Sequence, residues 1–183
     1  FGSNNVVSLG LAIIGTAMVI FTTVGVGTPY WTLAVIFFLV GVGMGLTMAP
    51  STTMVMDSIP HDKAGVGSAT NDASREVGGA FGIAIVGSAV NEIYQREMSV
   101  PAGLESNSAL ISESFPAAIR IGNELLAQGN LIGAELIENA QLAFVEGMTG
   151  AAAISAIVAF VNAVLVKLYM PIGVAKDSGD ALA

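Results

Sequence analysis

Cysteine is absent from this chain of 183 residues, and histidine occurs once. The first absence excludes a disulfide-stapled secreted scaffold, thiolate metal sites and thiol catalysis. Charge is scarce as well. Only 11% of the residues are charged, against about 25% in an average soluble domain, which is too little to cover a globule in water. What charge there is leans acidic, with Lys+Arg 6 against Asp+Glu 14 and a net charge of −8. That balance opposes binding to a polyanion, so nucleic acid is no expected partner. Low hydrophobicity, the mark of intrinsic disorder, is missing too: 54% of the residues are apolar and the mean hydropathy is +0.76. Glycine is frequent but lacks the every-third-residue period of collagen.

Long apolar runs are what the chain does have. Crossing a hydrocarbon layer of about 30 Å takes about 20 mostly apolar residues in a helix, and four stretches reach that length. Residues 6–24 and 30–56 carry no charge, residues 65–90 carry Asp72, Arg75 and Glu76 in their first half, and residues 144–170 are charged only at Glu146 and Lys167. The expected fold class is all-α, a polytopic integral membrane protein with four transmembrane helices in a lipid bilayer. The turn from Gly25 to Pro29 makes the first two spans antiparallel, and Tyr30 and Trp31 suit an interfacial anchor. A second polar connection runs from Asp57 to Lys63, and its His61 reads as an incidental loop residue.

Residues 95–143 differ in composition, with Glu97, Glu105, Glu113, Glu124, Glu135 and Glu138 against Arg96 and Arg120. Leu125, Leu126, Leu131, Ile132, Leu136 and Ile137 recur at helical spacing, which predicts an amphipathic helical loop outside the hydrocarbon, broken near Gly129-Asn130. Lys63, Lys167 and Lys176 fall on one side of the membrane and Arg96 on the other. The positive-inside rule therefore places the Pro60 loop and the tail, 171–183, in the cytoplasm, and the 95–143 loop outside it. No basic region precedes the first apolar run and no small-residue cleavage site follows it, so it is not a secretory signal. The opening at Phe1, without Met, reads as an excerpt from a longer protein whose first three spans here fill residues 1–94.

The third span holds the residues that could carry chemistry. At about 100° per residue, Asn71, Arg75, Gly78 and Gly82 form one stripe, and Asp72, Glu76, Gly79 and Ile83 an adjacent one. Counted from Gly65, Asp72 lies about 10 Å and Glu76 about 16 Å along the helix, close to the middle of the layer. A central charge costs about 2.5–3.5 kcal/mol even on the mildest scale, so such residues face a polar cavity, pair, or bind protons and ions. Asp72 and Arg75 could simply neutralise one another. Glu76 is not explained that way, because it stands four residues from Asp72 and is repelled by it. Two carboxylates in one low-dielectric cavity raise at least one pKa, as a proton carrier requires.

Gly78 and Gly82 suit close packing on a neighbouring helix, most simply the strip with Gly41 and Gly45 in the second span. Pro50 in that span removes a helix hydrogen bond, which Ser51, Thr52 and Thr53 can partly repair, so it reads as a kink or a hinge. Met44 and Met48 read as filler or as an adaptable surface, and Asn162 as an interhelical hydrogen-bond partner. Nothing resembles a metal site, a cofactor site or a nucleophile with its base, and no enzyme is expected.

The run GVGMGLTMAP (41–50), then DSIPHDKAGVGSA (57–69), then NDASREVGGAFGIAIVGS (71–88), resembles the C-terminal part of the fourteen-helix drug:proton antiporter branch of the major facilitator superfamily. The resemblance implies that the four spans correspond to helices 11 to 14 of a bacterial plasma-membrane exporter, and that the upstream helices of the same transporter are the chain's partners. It implies small hydrophobic cations and protons as cargo, cytoplasmic termini, and in some members an extracellular hairpin before the last helix. It also places the family's acidic positions on Asp72 and Glu76, just before Gly78-Gly79. Arg75 between them matches only part of the family. The reading is thus the C-terminal fragment of a proton-coupled multidrug efflux transporter. The alternative is a four-helix membrane scaffold or regulatory subunit, with no transport of its own, that acts through its acidic loop.

Overall fold

The computed structural model describes residues 2–60 and 63–170. Expectations for Phe1, for His61 with Asp62, and for the tail with Lys176 lie outside the described residues. Among those described, the chain is helical and contains no strand: α1 (Ser3–Phe21), α2 (Tyr30–Asp57), α3 (Ala64–Glu97), a 3-10 turn (Glu105–Asn107), α4 (Ser108–Glu113), α5 (Phe115–Ala127) and α6 (Ile132–Tyr169). Of these, α1, α2, α3 and α6 are long and apolar enough to cross a membrane.

The ends of the elements follow from local chemistry. After α1 the Thr22 and Thr23 hydroxyls donate to the carbonyls of Val19 and Ile20, at 2.7 and 2.8 Å, and the Gly25 N–H donates to Thr28 Oγ1 at 2.7 Å. These bonds occupy backbone groups that a helix end leaves open. Helix α2 passes through Pro50 unbroken. Around the missing N–H, Thr47, Ser51, Thr52 and Thr53 each donate a hydroxyl to the carbonyl four residues back, at 2.8, 2.6, 3.0 and 3.1 Å. Ser114 caps α5 by accepting from the Ala117 N–H, with Pro116 in the first turn. The same helix stops in a Schellman arrangement, in which Gly129 takes φ of +77° and the N–H groups of Gly129 and Asn130 donate to Leu126 and Leu125.

The chain divides into two compact units. The first takes in described residues up to 17, 37–78 and from 156. In it α1 lies against both α2 and α6. A Cβ at Gly10 would stand 2.7 Å from the Gly43 carbonyl oxygen, and one at Gly43 would stand 2.6 Å from that of Gly10, so the two backbones touch. On another side of α1, Ser8 Oγ donates to the Ala163 carbonyl at 2.8 Å, and a Cβ at Gly15 would meet the Phe160 ring at 3.0 Å. Moving up α1 from 8 to 15 moves down α6 from 163 to 160, so these two helices run antiparallel.

The second unit takes in residues 18–36 and 79–155. Its core is Tyr94, Met98, Leu104, Ile111, Ala118, Ile121, Leu136, Ala140 and Ala143, drawn from the end of α3, the connection, α4, α5 and the start of α6. The Tyr94 ring meets Phe115 edge-on at 6.2 Å, and Phe115 stacks on Phe144 at 4.4 Å. Tyr94 is 2% exposed, and its hydroxyl donates to the Ile111 carbonyl at 2.9 Å. Burying one Ile or Leu contributes about 1.5–3 kcal/mol, and Ile111 and Leu136 are fully buried. Helices α5 and α6 cross at Gly122 and Gly133, while α3 meets α6 where a Cβ at Gly147 would stand 2.7 Å from the Val90 carbonyl oxygen.

Helix α6 runs unbroken for 38 residues from Ile132 to Tyr169, so the stretch expected to cross the membrane, 144–170, continues a helix that starts within residues 95–143. No proline interrupts this stretch, and the buried side Leu136, Ala140, Ala143 continues at the same spacing into Ala151. At 1.5 Å per residue α6 is about 57 Å long and α3 about 51 Å, so both exceed what a bilayer core requires.

The acid-bearing stretch of α3 as candidate functional site

Helix α3 presents Asp72, Arg75 and Glu76 without an ion-pair partner among the described residues. Asp72, Arg75 and Glu76 are exposed, and every residue from Ser68 to Ser88 is exposed except Asn71, which is half-buried. Among the described residues the ion pairs are Arg96 with Glu97 and Arg120 with Glu124, so no pair within 4.0 Å joins Arg75 to Asp72 or Glu76. The simple neutralisation of Asp72 by Arg75 is therefore not formed. The local hydroxyls are occupied by the helix itself, since Thr70 donates to the Val66 carbonyl at 2.9 Å and Ser74 to that of Thr70 at 2.8 Å.

One face of this stretch does have a neighbour. Val55 of α2, Ile59 and Lys63 of the connection that follows it, and Thr70, Asn71 and Ser74 of α3 line a groove of about 460 Å³. Ile59 fits against Gly67, where a Cβ would collide with its side chain. At about 100° per residue, Asp72 and Glu76 stand on roughly the opposite side of α3 from this groove. Asn71 and the acids thus face different surroundings, which spacing along one stripe did not show. Among the described residues no group of three or more His, Asp or Glu could hold a metal ion.

The glycines singled out in the sequence behave differently from expectation. A Cβ at Gly41, Gly45, Gly78, Gly79 or Gly82 would meet nothing within 4 Å among the described residues. The expected approach of the Gly41 and Gly45 strip to Gly78 is not formed. Its physical reason lies in α2, where the buried Gly43 faces α1, so that Gly41 and Gly45, two residues to either side, point nearly the other way. They share that open face with Met44 and Met48, both exposed. Close packing falls instead on other glycines, among them Gly10 with Gly43, Gly122 with Gly133, and Gly147. A stripe of small residues signals close approach but does not name its partner.

Four helices long and apolar enough to cross a membrane, with no strand among the described residues, define a multi-pass α-helical membrane protein, and Asp72, Arg75 and Glu76 lie on one of those helices. Residues 1–83, a little under half of the chain, match the Major Facilitator Superfamily. The chain is 28% identical over 131 residues to the multidrug efflux pump LfrA of Mycolicibacterium smegmatis, covering 71% of this chain and 25% of that protein. Over 78 residues it is 31% identical to a tetracycline resistance determinant of Streptomyces rimosus, covering 43% of this chain and 22% of that protein. It is 29% identical over 116 residues to the methyl viologen resistance protein SmvA of Salmonella typhimurium, covering 63% and 22%. The chain thus spans about a quarter of the length of the curated relatives it matches. No solved structure matches it.

Proposed function

We propose that this chain is the acid-bearing part of a proton-coupled multidrug exporter of lipophilic cations in the bacterial plasma membrane, with Glu76 as proton carrier and Asp72 as its tuning or cation-attracting neighbour. The observation that carries the reading is the exposed, unpaired pair of carboxylates one turn apart inside α3. Two carboxylates and one guanidinium leave a single net negative charge, which one proton or one monovalent cation neutralises. A site that cannot keep that charge bare in low dielectric, and accepts either neutraliser but not both, exchanges one for the other.

The relatives named for multidrug efflux and methyl viologen resistance support the cationic cargo. The open α2 face of Gly41, Met44, Gly45 and Met48 offers an adaptable lipophilic wall, and the unpartnered Gly78, Gly79 and Gly82 give other helices of the full-length protein room to approach and slide. The Lys distribution supports cytoplasmic placement of the Pro60 connection and an outer location for α4 and α5. The test is transport by the full-length protein in liposomes under an imposed pH gradient. Cation accumulation driven by the gradient supports the reading, and absence of any transport turns it toward the scaffold alternative.

A further inference from the structure

The first unit holds a second groove, away from the acids, of about 660 Å³. Its lining changes character along its length. Asn5 and Lys167 stand at one end, and Leu9 and Ala12 of α1 with Leu46 of α2 line the rest. The antiparallel contact of α1 with α6, fixed by Ser8 on Ala163, puts Lys167 one turn beyond that contact, at the level of Asn5. Asn5, Leu9 and Ala12 follow one another at i, i+4 and i+7, so the apolar channel runs down one stripe of α1 from the polar end. Among the described residues no carboxylate lies within 4.0 Å of the Lys167 ammonium.

We propose that this groove binds an anionic glycerophospholipid, its phosphodiester held by Lys167 and the Asn5 side-chain amide and one acyl chain lying along Leu9, Ala12 and Leu46. The charge complementarity selects this occupant. A protein helix laid in the groove would have to bring a carboxylate to the depth of Lys167, whereas the leaflet supplies a phosphate at that level already. Basic groups between helices near a membrane surface bind anionic headgroups, and a Lys at a helix end reaches the headgroup layer on its apolar stem. The site is separate from the acids of α3 and its readout is binding, so it stands or falls independently of transport.

The test is titration of delipidated full-length protein with phosphatidylglycerol or phosphatidylcholine of equal chain length, read as bound lipid by native mass spectrometry and as thermal midpoint. Wild type should retain phosphatidylglycerol about fivefold better, the weight of one basic residue near an anionic surface. Lys167→Gln should lose that preference, Lys167→Arg should keep it, and Lys63→Gln should leave it unchanged. Ala12→Phe should reduce retention of both lipids by filling the channel. Equal preference in wild type and Lys167→Gln, or undiminished retention in Ala12→Phe, overturns the proposal and assigns the groove to bulk lipid or to a protein segment. Displacement of the lipid by millimolar inorganic phosphate also overturns it, because the acyl chain would then contribute nothing.

Discussion

At the scale of single residues, Glu76 is the deepest carboxylate on α3 and has no counter-ion within the described chain. Removing its proton exchange while keeping its shape should therefore separate binding from coupling. In the full-length protein Glu76→Gln is expected to abolish uphill export in a pH-gradient liposome assay while cation binding survives. Wild-type export by Glu76→Gln between pH 6 and 8 would refute its role. Asp72→Asn should weaken export of divalent cations more than of monovalent ones, since it halves the carboxylates available to a doubly charged cargo. Glu105 serves as the contrast. It accepts from the Gly103 N–H at 3.0 Å, which with its own N–H holds the carboxyl below the usual carboxylate range. A depressed folded-state pKa stabilises above the unfolded value and is lost as pH falls through the folded one, so Glu105→Gln should leave the pH 6–8 export profile unaltered. The charges of α3 were legible in the sequence because any ionisable group in an apolar run stands out. Tyr94 was not, because a tyrosine just past a span reads as an interfacial anchor; its bond to Ile111 depends on a fold of the intervening connection that no spacing rule supplies.

At the scale of elements, the contrast between Gly43 and Gly41 is testable without transport. Gly43→Ala places a Cβ 2.6 Å from the Gly10 carbonyl oxygen, and the same change at Gly41 meets open space. In the isolated chain in detergent, Gly43→Ala should lower the thermal midpoint, and Gly41→Ala should leave it unchanged or raise it through better helix propensity. Equal effects would show that α1 does not pack on this face. In the second unit, Tyr94→Phe removes one buried hydrogen bond and leaves the Ile111 carbonyl without that donor. The loss should be about 1 kcal/mol, measurable by hydrogen exchange on α4. The four spans were readable from length and hydropathy alone, and the stop at Gly129-Asn130 from turn chemistry. The continuity of α6 was readable too, from the absence of a breaker between Ile132 and Phe144, but the change from acidic to apolar composition masked it. Composition reports the surrounding solvent, and a helix can pass from one solvent to another without ending.

At the scale of the molecule, the proposed orientation rests on an even number of spans and the Lys distribution. Single cysteines at Ser58 and Ser106, in a chain with none of its own, should react with an impermeant maleimide from opposite faces of the membrane. Reaction of both from one face would overturn the topology. The length of α6 has a further bearing on how such a protein can be handled. About 20 residues of its 38 suffice for the bilayer core, and the remainder, with α4, α5 and the end of α3, surrounds the buried Tyr94, Ile111 and Leu136. Proteins made mostly of lipid-embedded helices lack rigid features for antibodies to grip or for image alignment to lock onto. On the proposed topology this folded, acidic knob stands clear of the hydrocarbon. A nanobody raised against it would serve as a fiducial for electron microscopy and would need no fusion partner.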